Sequence, residues 1–172
     1  MDGVSRFPNF PIEKYEISEA LGQGAFGIVN SYTILHKEDT LPDKVAVKIF
    51  GKKYASSFHR EKNIMEALMA NNHPNIVKYY GICQLPRRGQ QGLVYEVFDV
   101  DLMEYMMEKE EAGEVPLPNL ETKNILYQIA KALEHMKEVK TVHRDVKPEN
   151  VLLKLSKNGL NKVYVEWLLV IE

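Results

Sequence analysis

Apolar residues change their spacing several times along the chain, and each change marks an element. They form short strand-length runs over residues 15–21 and again at Ile28, Val29 and Tyr32, with Gly22, Gly24 and Gly27 between them. A strand, a glycine-rich turn and a returning strand make a hairpin. A polar loop with Pro42 follows, then a third run at Val45-Ala46-Val47 and Ile49-Phe50. Over residues 55–70 the period lengthens: Phe58, Ile64, Met65, Leu68 and Met69 fall on one face of a helix, with Arg60, Glu61 and Lys62 among them. Pro74 ends that helix, because the residue before a proline is pushed out of helical geometry. Residues 76–80 and 93–98 read as an antiparallel pair joined by the basic loop Pro86-Arg87-Arg88-Gly89.

The second half is mainly helical. A short helix is expected over 101–108, and a loop over 112–118 from Gly113, Pro116 and Pro118. A longer helix starts at Asn119, read as its N-cap, with Glu121 suited to the positive end of the helix dipole. Ile125, Ile129, Leu133 and Met136 line one of its faces. Val151-Leu152-Leu153, the turn Lys157-Asn158-Gly159 and the strand over 162–165 close with a hairpin. Five strands around one helix, followed by helices, define an α+β protein in two lobes.

Charge and cysteine content narrow the function. The 172 residues hold 22 basic and 24 acidic side chains, a net charge of -2. That balance argues against a protein built mainly to hold nucleic acid, which needs a basic excess. Cys83 is the only cysteine, so neither an internal disulfide nor a four-cysteine zinc site can form, and a reducing compartment is expected. No secretory signal is read at the start. The apolar stretch over 163–171 is far shorter than the roughly 20 residues of a spanning helix and contains Glu166. The expectation is a cytoplasmic or nuclear protein with no membrane partner.

Three segments carry chemistry. Gly22-Gln23-Gly24-Ala25-Phe26-Gly27-Ile28-Val29 is a G-x-G-x-x-G-x-V string, whose bare N–H groups can approach phosphate oxygens. A plain structural turn is the alternative for the glycines alone. A dinucleotide-binding oxidoreductase is the other, but there the glycines open a helix, whereas Ile28, Val29 and Tyr32 continue a strand. Lys48 closes a buried run and needs an anion, and Glu61 on the following helix can supply one. Taken singly, each also reads as a solvent-reaching charge. His143-Arg144-Asp145-Val146-Lys147-Pro148-Glu149-Asn150 places a base, a cation and a metal ligand on one loop. Phosphoryl transfer, which needs mostly positioning and charge stabilisation, suits that set.

With His73-Pro74-Asn75-Ile76-Val77 between them, these segments resemble, in order and spacing, the front half of a eukaryotic protein kinase domain, over residues 1–153. The resemblance implies a protein-kinase-like fold: an antiparallel N-lobe with one helix over 15–98, and a partial, mainly helical C-lobe over 99–155. It implies ATP and Mg2+ as cofactors and a protein substrate or partner. ATP would be bound by Leu21, Gly22, Gln23, Gly24, Ala25, Phe26, Gly27, Ile28 and Val29, by Ala46 and Lys48, by the backbones of Glu96 and Phe98, and by Asp101 and Leu152. Tyr95 would stand at the back of the nucleotide site. Asp145, Lys147, Lys48 and Glu61 would be catalytic, and Asn150 would ligate magnesium. Lys147 with Glu149-Asn150 resembles serine/threonine rather than tyrosine kinases.

After Leu153 the resemblance weakens. The family has Asp-Phe-Gly where this chain has Glu166-Trp167-Leu168, so residues 156–172 are expected to be a divergent tail on a truncated domain. Ile125, Ile129 and Leu133 are then expected to leave an exposed apolar patch. Two readings stay open. One is a kinase that transfers the ATP γ-phosphate to Ser/Thr hydroxyls; the other is an inactive kinase-like module that binds nucleotide or partner proteins.

Overall fold

The computed structural model describes residues 7, 9–24, 27–86, 90–156 and 159–165. Ala25, Phe26, the basic loop residues 87–89, Lys157, Asn158 and Glu166-Trp167 lie outside them. The chain divides into two compact units, Met1–Glu66 with Lys78–Val97, and Ala67–Val77 with Phe98–Glu172.

In the first unit, strands β1 (Tyr15–Gly24), β2 (Gly27–Ile34), β3 (Lys44–Phe50), β4 (Tyr79–Gln84) and β5 (Gln91–Glu96) form one sheet in the order β1-β2-β3-β5-β4. All its neighbours are antiparallel. Residues directly opposite one another in such a pair share a face. Tyr32 lies opposite Val45, and Val47 opposite Val94. These four join Phe10, Ile12, Tyr15 and Cys83 in a buried core on one side of the sheet. Burial pushes the Cys83 thiol up to about 12, so it behaves as a small core residue. The other face receives helix α1 (Ala55–Met69), with the Phe50 and Phe58 rings 5.6 Å apart and edge-on.

Strand β4 does not occupy residues 76–80 as expected; it begins at Tyr79 and runs to Gln84. Ile76 and Val77 are buried in the second unit instead, where Ile76 bridges Val165 and the Val77 N–H donates to the Val165 carbonyl. The register of β4 slips between Tyr79 and Gly81, whose φ is 128°. A bulge of this kind favours glycine, which the sequence pattern registers only as a break. β5 likewise ends at Glu96, two residues before the expected limit.

The second unit holds helices α2 (Leu102–Glu111) and α3 (Asn119–Glu138) and a small sheet. That sheet runs in the order β6 (Val100–Asp101), β7 (Val151–Ser156), β8 (Gly159–Val165). Its core gathers Leu102, Tyr105, Ile125, Val151, Leu153 and Val163. Two expectations change here. Asn119 is the first helical residue rather than the N-cap: the Thr122 N–H donates to the Pro118 carbonyl, which already starts the ladder, and no side chain caps this end. The face with Ile125, Ile129 and Leu133 is not exposed either. Ile125 is buried, Ile129 packs against the same core, and Leu133 is half-buried. The exposed large apolar side chains of α3 are Leu120, Leu126 and Tyr127.

The segment before β4 is tied into this unit by Asn75. Its Nδ2 donates to the Gln128 side-chain oxygen and to the Val163 carbonyl, both at 2.7 Å. The Val165 N–H returns a bond to the Asn75 carbonyl.

Candidate functional site

Register decides which residues of the first unit meet. Val29 lies opposite Lys48, Ala46 opposite Tyr95, and Lys48 opposite Leu93. Val29, Ala46, Lys48 and Tyr95 therefore share the face away from the Val45/Val47 core, and that face is the one α1 covers. On α1 the buried positions Phe58, Glu61, Met65 and Leu68 recur every three or four residues, so Glu61 is carried inward on the apolar stripe. Lys48 and Glu61 are 4% and 1% exposed, and Lys48 Nζ lies 2.7 Å from Glu61 Oε2. A buried pair recovers its desolvation cost only if the remaining lone pairs are also satisfied. Here the Tyr95 hydroxyl donates to Glu61 Oε1 at 2.7 Å.

The glycine-rich string sits at the end of the first hairpin, where Gly24 pairs with Gly27. The register of β1 slips between Ile17 and Glu19 and again between Ala20 and Gly22. Leu21, Gly22, Gln23 and Ile28 are exposed. The glycines differ physically. A Cβ at Gly27 would run into the Ile49 carbonyl, so the sheet itself requires glycine there. At Gly22 a Cβ would meet nothing within 4 Å among the described residues, so packing against them does not explain that glycine. At the end of β5 the Glu96 N–H donates to the Lys78 carbonyl at 3.0 Å.

In the second unit, Asp101 pairs with Leu152 across β6 and β7. Asp101 also caps α2: its Oδ1 accepts the Glu104 N–H at 2.8 Å, satisfying an otherwise orphaned donor. Phe98 is half-buried, its ring 4.7 Å from that of Tyr164.

The loop preceding β7 is organised around Asp145. Asn150, 1% exposed, donates from Nδ2 to the Asp145 carbonyl at 2.8 Å and to its Oδ2 at 2.9 Å. Lys147 Nζ lies 3.2 Å from the same Oδ2. The Asp145 N–H donates to Nδ1 of buried His143 at 3.2 Å. Arg144 between them has φ 70°, a left-handed conformation that non-glycine residues seldom adopt. Burial pushes the Asp145 carboxyl up, but hydrogen bonds from Lys147 and Asn150 and the Lys147 charge outweigh it and hold the group below the ordinary carboxylate range. Asp145 is therefore ionised at neutral pH, with Oδ2 engaged and Oδ1 accepting no bond among the described residues.

Asn150 Oδ1 is buried and has no hydrogen-bond partner among the described residues. Two acceptors around Nδ2 settle the amide orientation, which leaves Oδ1 as an orphaned hard-oxygen donor of the kind magnesium takes. The described residues contain no group of three His, Cys, Asp or Glu side chains able to hold a metal ion by themselves. The donor set thus fits a cation that takes most of its ligands from water and phosphate.

Sequence reasoning paired Lys48 with Glu61 but missed the bond from Tyr95 to Glu61. The available signal was a tyrosine in a buried strand, whose hydroxyl needs a partner. It also missed the stacked pair His73 and His135, with ring centroids 5.0 Å apart and His135 Nε2 3.2 Å from the Leu68 carbonyl.

Comparison with known proteins places the chain in a family. Residues 15–164 match the protein kinase domain, and the chain belongs to that family. It is 32% identical over 170 residues to the Aurora kinase of Saccharomyces cerevisiae, covering 93% of this chain and 40% of that protein. It is 30% identical to the carbon catabolite-derepressing protein kinase of the same yeast, over 90% of this chain and 24% of the relative. Human myosin-IIIa is 32% identical over 86% of this chain, which spans 9% of that protein. The chain therefore spans less than half the length of each of these relatives. Among the described residues, no helix is long and apolar enough to cross a membrane.

Proposed function

We propose that this chain binds ATP and transfers its γ-phosphate to serine or threonine hydroxyls of proteins. The observation that carries the proposal is the loop in which Asn150 and Lys147 converge on one oxygen of Asp145, while the other accepts no bond among the described residues. An ionised carboxylate with one oxygen held and one open can orient a hydroxyl and accept its proton as phosphorus is attacked. Lys147, within 3.2 Å of Asp145 and half-exposed, would offset negative charge on the transferring group. Lys48, fixed by Glu61, would hold the nucleotide phosphates, with the backbone over residues 21–29 covering them. Val29, Ala46 and Leu152 would flank the base, the backbones of Glu96 and Phe98 would read its edge, and Asp101 would meet the ribose. Asn150 Oδ1 would hold magnesium, which when bound would supply neutralisation of the phosphate charge.

A second reading is favoured by one observation: after the strand that ends at Val165 this chain has Glu166-Trp167-Leu168 where the family has Asp-Phe-Gly, the segment that brings its other metal-binding acid. On that reading the chain binds nucleotide, or a protein partner, without transferring phosphate. Purified chain incubated with radiolabelled ATP, magnesium and a mixed protein substrate separates the two. Incorporation into serine and threonine that is abolished by both Lys48→Met and Asp145→Asn supports the first reading. Absence of incorporation, together with an ATP-dependent rise in melting temperature, supports the second. No incorporation and no thermal response to ATP with or without magnesium sinks both.

A further inference from the structure

We infer that Tyr95 is a positioning residue for Lys48, acting through Glu61. This inference rests on the reading of Lys48 as a phosphate-binding residue and deepens it.

The geometry is a three-membered chain in which one carboxylate is gripped at both oxygens. Lys48 Nζ holds Oε2 and the Tyr95 hydroxyl holds Oε1, each at 2.7 Å. The last torsion of a glutamate is a broad, nearly two-fold rotor, so one donor alone does not set the plane of the carboxylate. With a single partner, the ammonium group can slide between the oxygens, or the carboxylate can turn with it. A second donor at a fixed place removes that freedom. Tyr95 supplies a fixed place because it stands on β5 directly opposite Ala46 of β3, two residues from Lys48 on the same strand and face. Its ring is braced by that of Tyr79, with centroids 5.6 Å apart. The three residues are 4%, 1% and 6% exposed, so water does not readily replace a lost bond. Glu61 is thereby referenced to the sheet that carries Lys48, and the ammonium group is aimed rather than merely neutralised. A tyrosine that only filled space on β5 would need no hydroxyl.

The test is a double-mutant cycle on the full 172-residue chain, reading the dissociation constant for magnesium-ATP by calorimetry. Tyr95→Phe keeps the ring and removes the hydroxyl. In the wild-type background it is expected to weaken binding about three- to tenfold. In the Lys48→Met background it is expected to change binding less than about twofold, since nothing remains to aim. An unchanged affinity for Tyr95→Phe, or the same loss in both backgrounds, overturns the inference while leaving the phosphate-binding reading of Lys48 intact. If Lys48→Met alone leaves magnesium-ATP binding at the wild-type level, that reading falls and takes the inference with it. A second measurement needs no nucleotide. The side-chain ammonium of Lys48, followed by nitrogen-15 NMR, should give a sharp, slowly exchanging signal that broadens or vanishes in Tyr95→Phe; an unaltered signal overturns the inference.

Discussion

Lys48 Nζ lies 2.7 Å from Glu61 Oε2, with the two side chains 5% and 1% exposed. Removing one member of such a buried pair strands the other charge, at a typical cost of about 3–5 kcal/mol. Lys48→Met is therefore expected to destabilise the first unit by about 3 kcal/mol or more in urea unfolding. Replacing both charges by Lys48→Met with Glu61→Leu is expected to restore part of that loss. The recovery would be incomplete, because the Tyr95 hydroxyl then loses its acceptor. A double variant less stable than Lys48→Met alone would contradict the stranded-charge explanation.

The glycines of the first hairpin make opposite demands. Gly27→Ala drives a methyl group into the Ile49 carbonyl on β3 and must prise apart the strand pair, which places it in the range of about 1–3 kcal/mol usual for overpacking. Gly22→Ala meets nothing within 4 Å among the described residues and is expected to shift stability by less than about 1 kcal/mol. On the proposed function, that small stability effect should accompany weaker ATP binding. Thermal unfolding and ATP titration of the two variants check this, and equal destabilisation of both would count against the hairpin geometry.

What could be read in advance follows from how far each feature depends on local pattern. β3 and α1 carry strong periodic signals, and the inward position of Glu61 follows once Phe58, Met65 and Leu68 set the stripe. The loop around Asp145 was visible because its residues are adjacent in sequence. The start of β4 was not visible, since Ile76 and Val77 are as apolar as a strand but are buried by pairing with Val165, nearly ninety residues on. The burial of Ile125 also escaped, because β7 and β8 supply its cover and their packing is no property of the helix itself. The bond from Tyr95 to Glu61 required the β3–β5 register, which no single segment encodes.

Tyr79 offers a contrast with Tyr95 one strand away. Its hydroxyl is buried and has no hydrogen-bond partner among the described residues, and burial, aided by Glu66 and Glu61, pushes the phenol well above its ordinary value. A buried polar group without a partner carries a desolvation cost of about 1–3 kcal/mol. Tyr79→Phe is expected to leave stability unchanged or to raise it by about 1 kcal/mol, whereas Tyr95→Phe should lower it. Calorimetric unfolding of the two variants decides the matter, and a clear loss in Tyr79→Phe would mean that its hydroxyl is in fact satisfied.

The lowered carboxyl of Asp145 sets a pH dependence whose sign is fixed. The group is more acidic folded than unfolded, where the ordinary value is about 3.9. Its contribution to stability is thus fully present above that value and is lost as pH falls through the lower, folded one. Lys147→Met removes both a hydrogen bond and a nearby positive charge, so the Asp145 titration midpoint should rise. The stability gap between wild type and Lys147→Met should then be present at neutral pH and close in acid, as protonation removes the carboxylate in both proteins. Carbon-13 NMR titration of the aspartate carboxyls, with urea unfolding across the same pH range, measures both effects. A midpoint unmoved by Lys147→Met would show that Asn150 alone holds the carboxylate, and the charge-offsetting role given to Lys147 would lose its structural basis.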